Sequence, residues 1–286
     1  MLRISIFLYT LLLAAGLQAE TPTKTSVVGP RPVQDVIIQW EKLYGWVITY
    51  EDPRFEYADD LEDVTTRVRK DLKPGEPIDA SKRIIGARER QLTVTYNPPQ
   101  SAKDTTARLE STKQLVRAYA QGTGTTFNIE QSDSRINLLP GLVRDASGEL
   151  QKSRPILDTV ITIPAQERNG TEFIRALCDE LSSATEHKIV VGIVPSNALA
   201  QVHIKAGYEN LSARQVLEDF LNKMPMGNRY TWALLFQKDY ALNIHLVRDP
   251  YKPAEGTRTQ SGNGRSRFIE ERTLTTNSGT VVRVVR

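Results

Sequence analysis

The side chains most able to ligate a metal or to act as a nucleophile are three histidines and one cysteine. His203 and His245 both fall on predicted strands in which polar and apolar residues alternate, so pairing of these strands would bring the two rings together. Two histidines are fewer than the three or four protein ligands of a zinc site. We therefore predict no metal site and interpret His187, His203 and His245 as surface residues.

Cys178 lies on the apolar stripe of a predicted helix that contains Phe173, Ile174, Leu177 and Leu181. A free cysteine at such a position packs as a small hydrophobic side chain. It has no activating base nearby in the sequence, and no second cysteine exists to form a disulfide. The chain is therefore predicted to fold on packing alone.

The sequence lacks the short motifs of common active sites: a Gly-x-Ser-x-Gly elbow, a phosphate-binding Gly-x-x-x-x-Gly-Lys loop and a His-Glu-x-x-His zinc helix. The acidic cluster at 59–63 lacks the alternating acids and the glycine turn of a calcium loop. We predict no catalytic residue and no cofactor. Carboxylates brought together only by folding leave no recognisable spacing, so an exported hydrolase with a site between two modules is an alternative.

Composition and charge are those of a globular protein with two small domains. Hydrophobic residues make up 40% of the 286 residues and charged residues 25%. Lys and Arg number 37 and Asp and Glu 34, which leaves a net charge of +3. This balance argues against a nucleic-acid partner, because such proteins concentrate basic residues on one face.

Residues 1–19 have the pattern of a signal peptide. Arg3 precedes the apolar run Ile4–Leu13, and small side chains precede a predicted cleavage site between Ala19 and Glu20. The apolar run is too short to form a stable membrane-spanning helix. We therefore predict a periplasmic or secreted protein with no stable membrane span after cleavage, beginning with an extended lead-in at 20–31.

Two modules are predicted, at 32–152 and 153–249. The second reads strand, helix, strand, short loop, strand, helix and hairpin, with capping boxes at Asn169–Glu172 and Ser212–Gln215. The first has a similar order, interrupted by an insertion at 54–90 that we predict to be a solvated loop with short helical pieces. The predicted fold class is α+β, with two helices of each module packed on small mixed or antiparallel sheets.

The segment Asn210–Leu221, followed by Tyr230-Thr231-Trp232 and Asn243-Ile244-His245, resembles the STN domain, the short N-terminal domain of secretins and TonB-dependent receptors. The order of elements at 159–247 is similar to that of the family, and 31–140 follows it with the insertion added. The resemblance implies a periplasmic protein-contact domain with two helices and small flanking sheets. It does not imply transport or a pore, because nothing in this chain resembles a barrel or a secretin pore.

The last segment, 250–286, is rich in Gly, Ser, Thr and Arg and is predicted to be a flexible basic tail. Its β-prone end is consistent with three alternatives: addition to a partner's sheet edge, pairing with a sheet of this chain, or a loose end. The residues predicted to bind a partner are Val281, Val282, Val284 and Val285.

The resulting prediction is an exported, non-catalytic protein of the cell envelope that recognises a protein partner through exposed sheet edges. Besides the hydrolase, a second alternative is an accessory subunit of a secretion or TonB-type uptake system.

Overall fold

A computed structural model describes residues 22–71, 78–99, 101, 103–132 and 134–250, and the backbone of two strands between 272 and 284. The predicted cleavage site at Ala19 and Glu20 lies outside these residues. We call 22–152 the first half and 153–250 the second half of one compact unit.

The first half contains strands β1 (Thr23–Gly29), β2 (Ile48–Glu51), β3 (Leu61–Asp63), β4 (Ile85–Ala87), β5 (Arg90–Tyr96), β6 (Phe127–Gln131), β7 (Ile136–Pro140), β8 (Leu142–Arg144) and β9 (Leu150–Lys152), and helices α1 (Pro32–Tyr44), α2 (Thr65–Val68) and α3 (Thr105–Thr123). The second half contains strands β10 (Val160–Asn169), β11 (Ile189–Val191), β12 (His203–Ser212), β13 (Tyr230–Phe236) and β14 (Tyr240–Leu246), and helices α4 (Gly170–Thr185), α5 (Ser196–Gln201) and α6 (Ala213–Lys223). These elements confirm the predicted α+β class.

Strand pairing follows the same scheme in both halves. In the first half, β1 pairs antiparallel with β5, while β2 pairs parallel with β7 and β7 pairs antiparallel with β6. In the second half, β10 pairs antiparallel with β12, while β11 pairs parallel with β14 and β14 pairs antiparallel with β13. The predicted lead-in at 20–31 contains β1, and the insertion at 54–90 contains the small antiparallel pair β3–β4.

The two three-stranded sheets join into one, which the sequence analysis did not predict. Strand β13 pairs parallel with β2, with Ala233 opposite Tyr50 and Leu234 opposite Glu51. The sheet therefore has six strands in the order β11-β14-β13-β2-β7-β6.

Each half has its own core, and the two cores lie on opposite faces of the shared sheet. Because side chains alternate along a strand, Ile48 and Tyr50 of β2 pack into the core of α1 and α3. Trp232 and Leu234 of β13 pack into the core of α4 and α6. Both predicted capping boxes, at the starts of α4 and α6, are present.

A buried ion pair lies at the joint between the halves, which is the pairing of β2 with β13. Arg31 Nε donates to Asp52 Oδ2 at 2.5 Å, and the same guanidinium donates to the carbonyl of Phe236. The backbone N–H of Phe236 donates to Asp52 Oδ2 at 2.9 Å. Asp52, fully buried at the end of β2, therefore ties the entry of α1 to the end of β13.

A second buried carboxylate holds the connection between the halves. Glu51 is 1% exposed, and its two oxygens accept hydrogen bonds from the backbone N–H groups of Ile156 and Leu157. Burial raises the pKa of Glu51 to about 8. The side chain thus attaches the connecting segment to the middle of the sheet.

Residues 251–286 form a separate unit, of which two strands are described. Strand β15 (Arg272–Thr275) pairs antiparallel with β16 (Val281–Val284). This places the predicted partner-binding residues Val281, Val282 and Val284 on one strand of a hairpin, while Val285 lies outside the described residues. A lone two-stranded hairpin is marginally stable in water, and partner binding by this segment stays a prediction.

In the part of the chain that the structure describes, no helix has the length and apolar character needed to cross a membrane.

Candidate functional site

The two ends of the six-stranded sheet are strands β11 and β6. An edge strand presents unpaired backbone N–H and C=O groups, to which a further strand can add unless they are covered. The two ends of this sheet differ in how these groups are satisfied.

The β11 edge is capped at one position, Ile189, by a side chain of its neighbouring helix. The carbonyl of Lys188 and the N–H of Gly192 bond to β14, so the backbone groups of Ile189 face outward. Ser182 Oγ of α4 accepts the hydrogen bond of Ile189 N–H at 2.9 Å and lies 3.3 Å from the carbonyl oxygen of Ile189. Ser182 therefore takes the place of a neighbouring strand at this position.

The β6 edge is open. Ser132 N–H bonds to the carbonyl of Arg135, and Gly141 N–H bonds to the carbonyl of Thr126. Since bonding residues alternate along an antiparallel strand, the backbone groups of Asn128 and Glu130 face β7, and those of Ile129 and Gln131 face outward. Among the residues that the structure describes, no strand pairs with this outer side.

The side chains of β6 have different characters on its two faces. Phe127 is buried in the first core, and Ile129 packs partly buried against it. Asn128 and Glu130 are exposed on the opposite face. A strand added to β6 would therefore meet an apolar margin on one face and polar groups on the other.

A groove of about 490 Å³ runs beside this polar face. Asn128 and Glu130 line it from β6, Leu139 lines it from β7, and the connecting segment 152–155 forms a wall together with Asp158. The groove and the open edge are thus adjacent, and both involve β6.

Charges in the groove are unevenly compensated. The Arg214 guanidinium binds Asp158 at 2.6 Å and also binds Glu130. Lys152 and Arg154 are exposed, and within the described ranges neither forms an ion pair with a carboxylate. Arg154 donates only a long hydrogen bond of 3.4 Å to the carbonyl of Asp158, so the wall at 152–155 carries two cations that lack a carboxylate partner among the described residues.

The histidines of the sequence analysis are not brought together by strand pairing. His203 lies on β12 and His245 on β14, in different sheets. His245 Nε2 lies 2.8 Å from Glu41 Oε2 of α1, so this histidine contributes to the joint between the halves. Burial raises the pKa of Glu41, and the hydrogen bond to His245 opposes the rise.

Cys178 is 1% exposed in the second core, and burial raises the pKa of its thiol to about 12. A thiol in this state is a poor nucleophile at neutral pH. The packing role predicted from the apolar stripe is confirmed.

A first test concerns the capped edge. We expect Ser182→Ala to speed hydrogen exchange of the Ile189 amide about tenfold and to lower the free energy of unfolding by about 1 kcal/mol, because the Ile189 N–H loses its acceptor and the Cys178 carbonyl loses the hydroxyl donor. Ser183→Ala is the matched control, since Ser183 Oγ donates only to the carbonyl of Asp179 on the exposed side of the same helix. Equal exchange of Ile189 in the two variants would contradict the capping role.

A second test concerns the open edge. Amide exchange measured by NMR is expected to alternate along β6, with Asn128 and Glu130 at least about 100-fold slower than Ile129 and Gln131, because only the first two donate to β7. Uniformly slow exchange would mean that the outer side of β6 is covered.

Comparison of the chain with protein-family models, with curated proteins and with solved structures finds no match.

Proposed function

We propose that the protein is an exported interaction protein of the cell envelope, which binds an extended segment of a protein partner as an added strand on β6. The open outer side of β6 is the observation that carries this proposal. Main-chain hydrogen bonds to Ile129 and Gln131 would supply affinity, and side-chain contacts in the groove would supply specificity. The predicted signal peptide and the resemblance to STN domains support the envelope location.

The distribution of carboxylates favours binding over hydrolysis. Glu51 and Asp52 have raised pKa values and are fully buried. Both accept hydrogen bonds from backbone N–H groups of the protein. The two carboxylates that line the groove, Glu130 and Asp158, are both bound to Arg214. A general acid and base pair needs carboxylates that are accessible to a substrate, and these four are committed to the fold.

Strand addition at β6 is tested by removing one outward backbone N–H of this strand. Gln131 is exposed and its N–H faces away from β7, so Gln131→Pro removes a donor needed only by an added strand. A photo-crosslinking residue at the exposed position 128 reports capture of a partner from envelope extract. We expect Gln131→Pro to lower the crosslink yield by about tenfold, the equivalent of one hydrogen bond.

Gln131→Ala is the matched control, because it removes the same side chain and keeps the N–H. Thermal unfolding should show both variants folded, with midpoints within a few degrees of the parent protein. Equal crosslinking by the proline and alanine variants would contradict strand addition at β6.

A further inference from the structure

We infer that the segment bound at β6 runs parallel to this strand and carries acidic side chains toward the groove wall formed by Lys152 and Arg154. This inference rests on the proposed function and specifies the chemistry of its partner.

The parallel direction is inferred from the joint between the halves, where another strand already occupies an edge equivalent to that of β6. Strand β13 holds in the second half the position that β6 holds in the first, as the first strand of the closing hairpin. The outer side of β13 is filled by β2, which runs parallel to it. The N–H of Asp52 donates to the outward carbonyl of Leu234 at 2.8 Å.

The hairpin registers identify the equivalent residue on β6. Phe236 is opposite Tyr240 at the turn of the second hairpin, and Gln131 is opposite Ile136 at the turn of the first. Counting two residues back from each turn makes Ile129 the counterpart of Leu234. Both present their backbone groups outward, so the β6 edge has the geometry that accepts a parallel strand at β13.

The side-chain pattern follows from the two faces of β6, of which one is apolar and the other polar. Ile48 and Tyr50 of β2 face the first core, while Glu51 faces the other side, where it accepts hydrogen bonds from Ile156 and Leu157. Glu51 lies opposite Leu234, but Ile129, the counterpart of Leu234, faces the first core, so a parallel strand on β6 would place apolar residues beside Phe127 and Ile129. Its other residues would face the groove.

Charge determines which side chains suit the groove. Glu130 and Asp158 already bind Arg214, so a basic segment would have to compete with that guanidinium. In the described part of the chain Lys152 and Arg154 have no carboxylate partner, and Arg154 donates only to the carbonyl of Asp158. An acidic side chain in the groove would gain charge-assisted hydrogen bonds from these two cations, so the groove selects acidic residues at alternate positions.

The segment 46–52 of this chain, Trp-Val-Ile-Thr-Tyr-Glu-Asp, is a suitable probe because it contains β2 and its Glu faces the groove when Ile48 and Tyr50 face the apolar margin. It is made as a capped synthetic peptide, together with a version in which lysines replace both acids. We expect the acidic peptide to bind the full chain at least about tenfold more tightly than the lysine version at low salt. Lys152→Glu combined with Arg154→Glu should reverse this preference.

Gln131→Pro should abolish binding of the acidic peptide, which distinguishes addition at β6 from displacement of β2 at β13. A spin label on the peptide's N-terminus reports direction. In a parallel complex it broadens the NMR signals near Phe127 more than those near Gln131, and in an antiparallel complex it does the reverse.

The outcomes separate this inference from the proposed function. Equal binding of the two peptides, or stronger broadening near Gln131, overturns the acidic preference or the parallel direction and leaves strand addition intact. If neither peptide binds while Gln131→Pro still reduces the crosslink to a partner, the inference alone is overturned. If Gln131→Pro also leaves that crosslink unchanged, the proposed function fails as well.

Discussion

Replacing Asp52 with alanine is expected to lower the free energy of unfolding by about 3–5 kcal/mol, the cost of removing one member of a buried ion pair. The expected loss arises because Arg31 has no ion-pair partner at position 52 in the variant. Its side chain is 14% exposed and would keep its hydrogen bond to the carbonyl of Phe236 and only the weaker attraction of Asp35, so its charge would be buried without a directly bonded carboxylate. The N–H of Phe236 would also lose its acceptor. Urea denaturation followed by circular dichroism measures the change.

A neighbouring exposed pair provides the control. Arg54 and Glu56 form an ion pair of 2.8 Å at the protein surface, and Glu56→Ala should cost less than about 1 kcal/mol. The double variant Arg31→Ala, Asp52→Ala should recover part of the stability lost by Asp52→Ala, since the uncompensated charge is gone. A loss below about 1 kcal/mol for Asp52→Ala would show that Asp52 does not hold the joint.

The elements of each half could be predicted because their signals are local. The apolar stripe of α4 and the capping boxes that start α4 and α6 involve residues within a few positions of each other. The insertion was recognisable from its charges and prolines. Helix α5 was missed, since it occupies the predicted short loop of the second module. Strand β1 was missed because its partner β5 lies more than 60 residues away and a Thr-rich segment does not reveal that partner.

The shared sheet could not be predicted because it depends on pairing between residues about 180 positions apart, such as Tyr50 and Ala233. Before this pairing is known, Glu51 and Asp52 are indistinguishable from charged residues at an exposed strand end before Pro53. The open edge could not be predicted for the same reason. In the sequence, β13 and β6 both look like the first strand of a hairpin. Only the insertion of β2 beside β13 leaves β6 as the edge.

One signal of the joint was present in the sequence. Glu41 directly follows Trp40 on the apolar stripe of α1, where a carboxylate is out of place. The structure shows it 7% exposed and bound to His245. A buried acid on an apolar helix face therefore indicated a polar partner, but the partner's identity depended on how the halves join.

The stability of the protein is expected to fall as the pH rises from about 5 to 8, and Glu51 should account for a large part of the fall. The pKa of Glu51 is about 8 in the folded protein, against an ordinary value of 4.5. Between these values the folded state retains a proton that the unfolded state releases. The protein therefore releases a proton when it unfolds. As a result, the free energy of unfolding decreases by up to about 1.4 kcal/mol for each pH unit in this window.

Glu51→Gln tests this assignment, because glutamine has the same shape and cannot titrate. Other acids with shifted pKa, such as Asp35 and Glu41, are unchanged in the variant, so the difference between the two stability curves isolates Glu51. We expect the difference to change by several kcal/mol between pH 5 and 8, at about 1.4 kcal/mol per unit at most. A constant offset would mean only that the amide bonds less well to Ile156 and Leu157. A difference that changes across this window would assign the loss of stability to ionisation of Glu51, whose oxygens hold the N–H groups of Ile156 and Leu157.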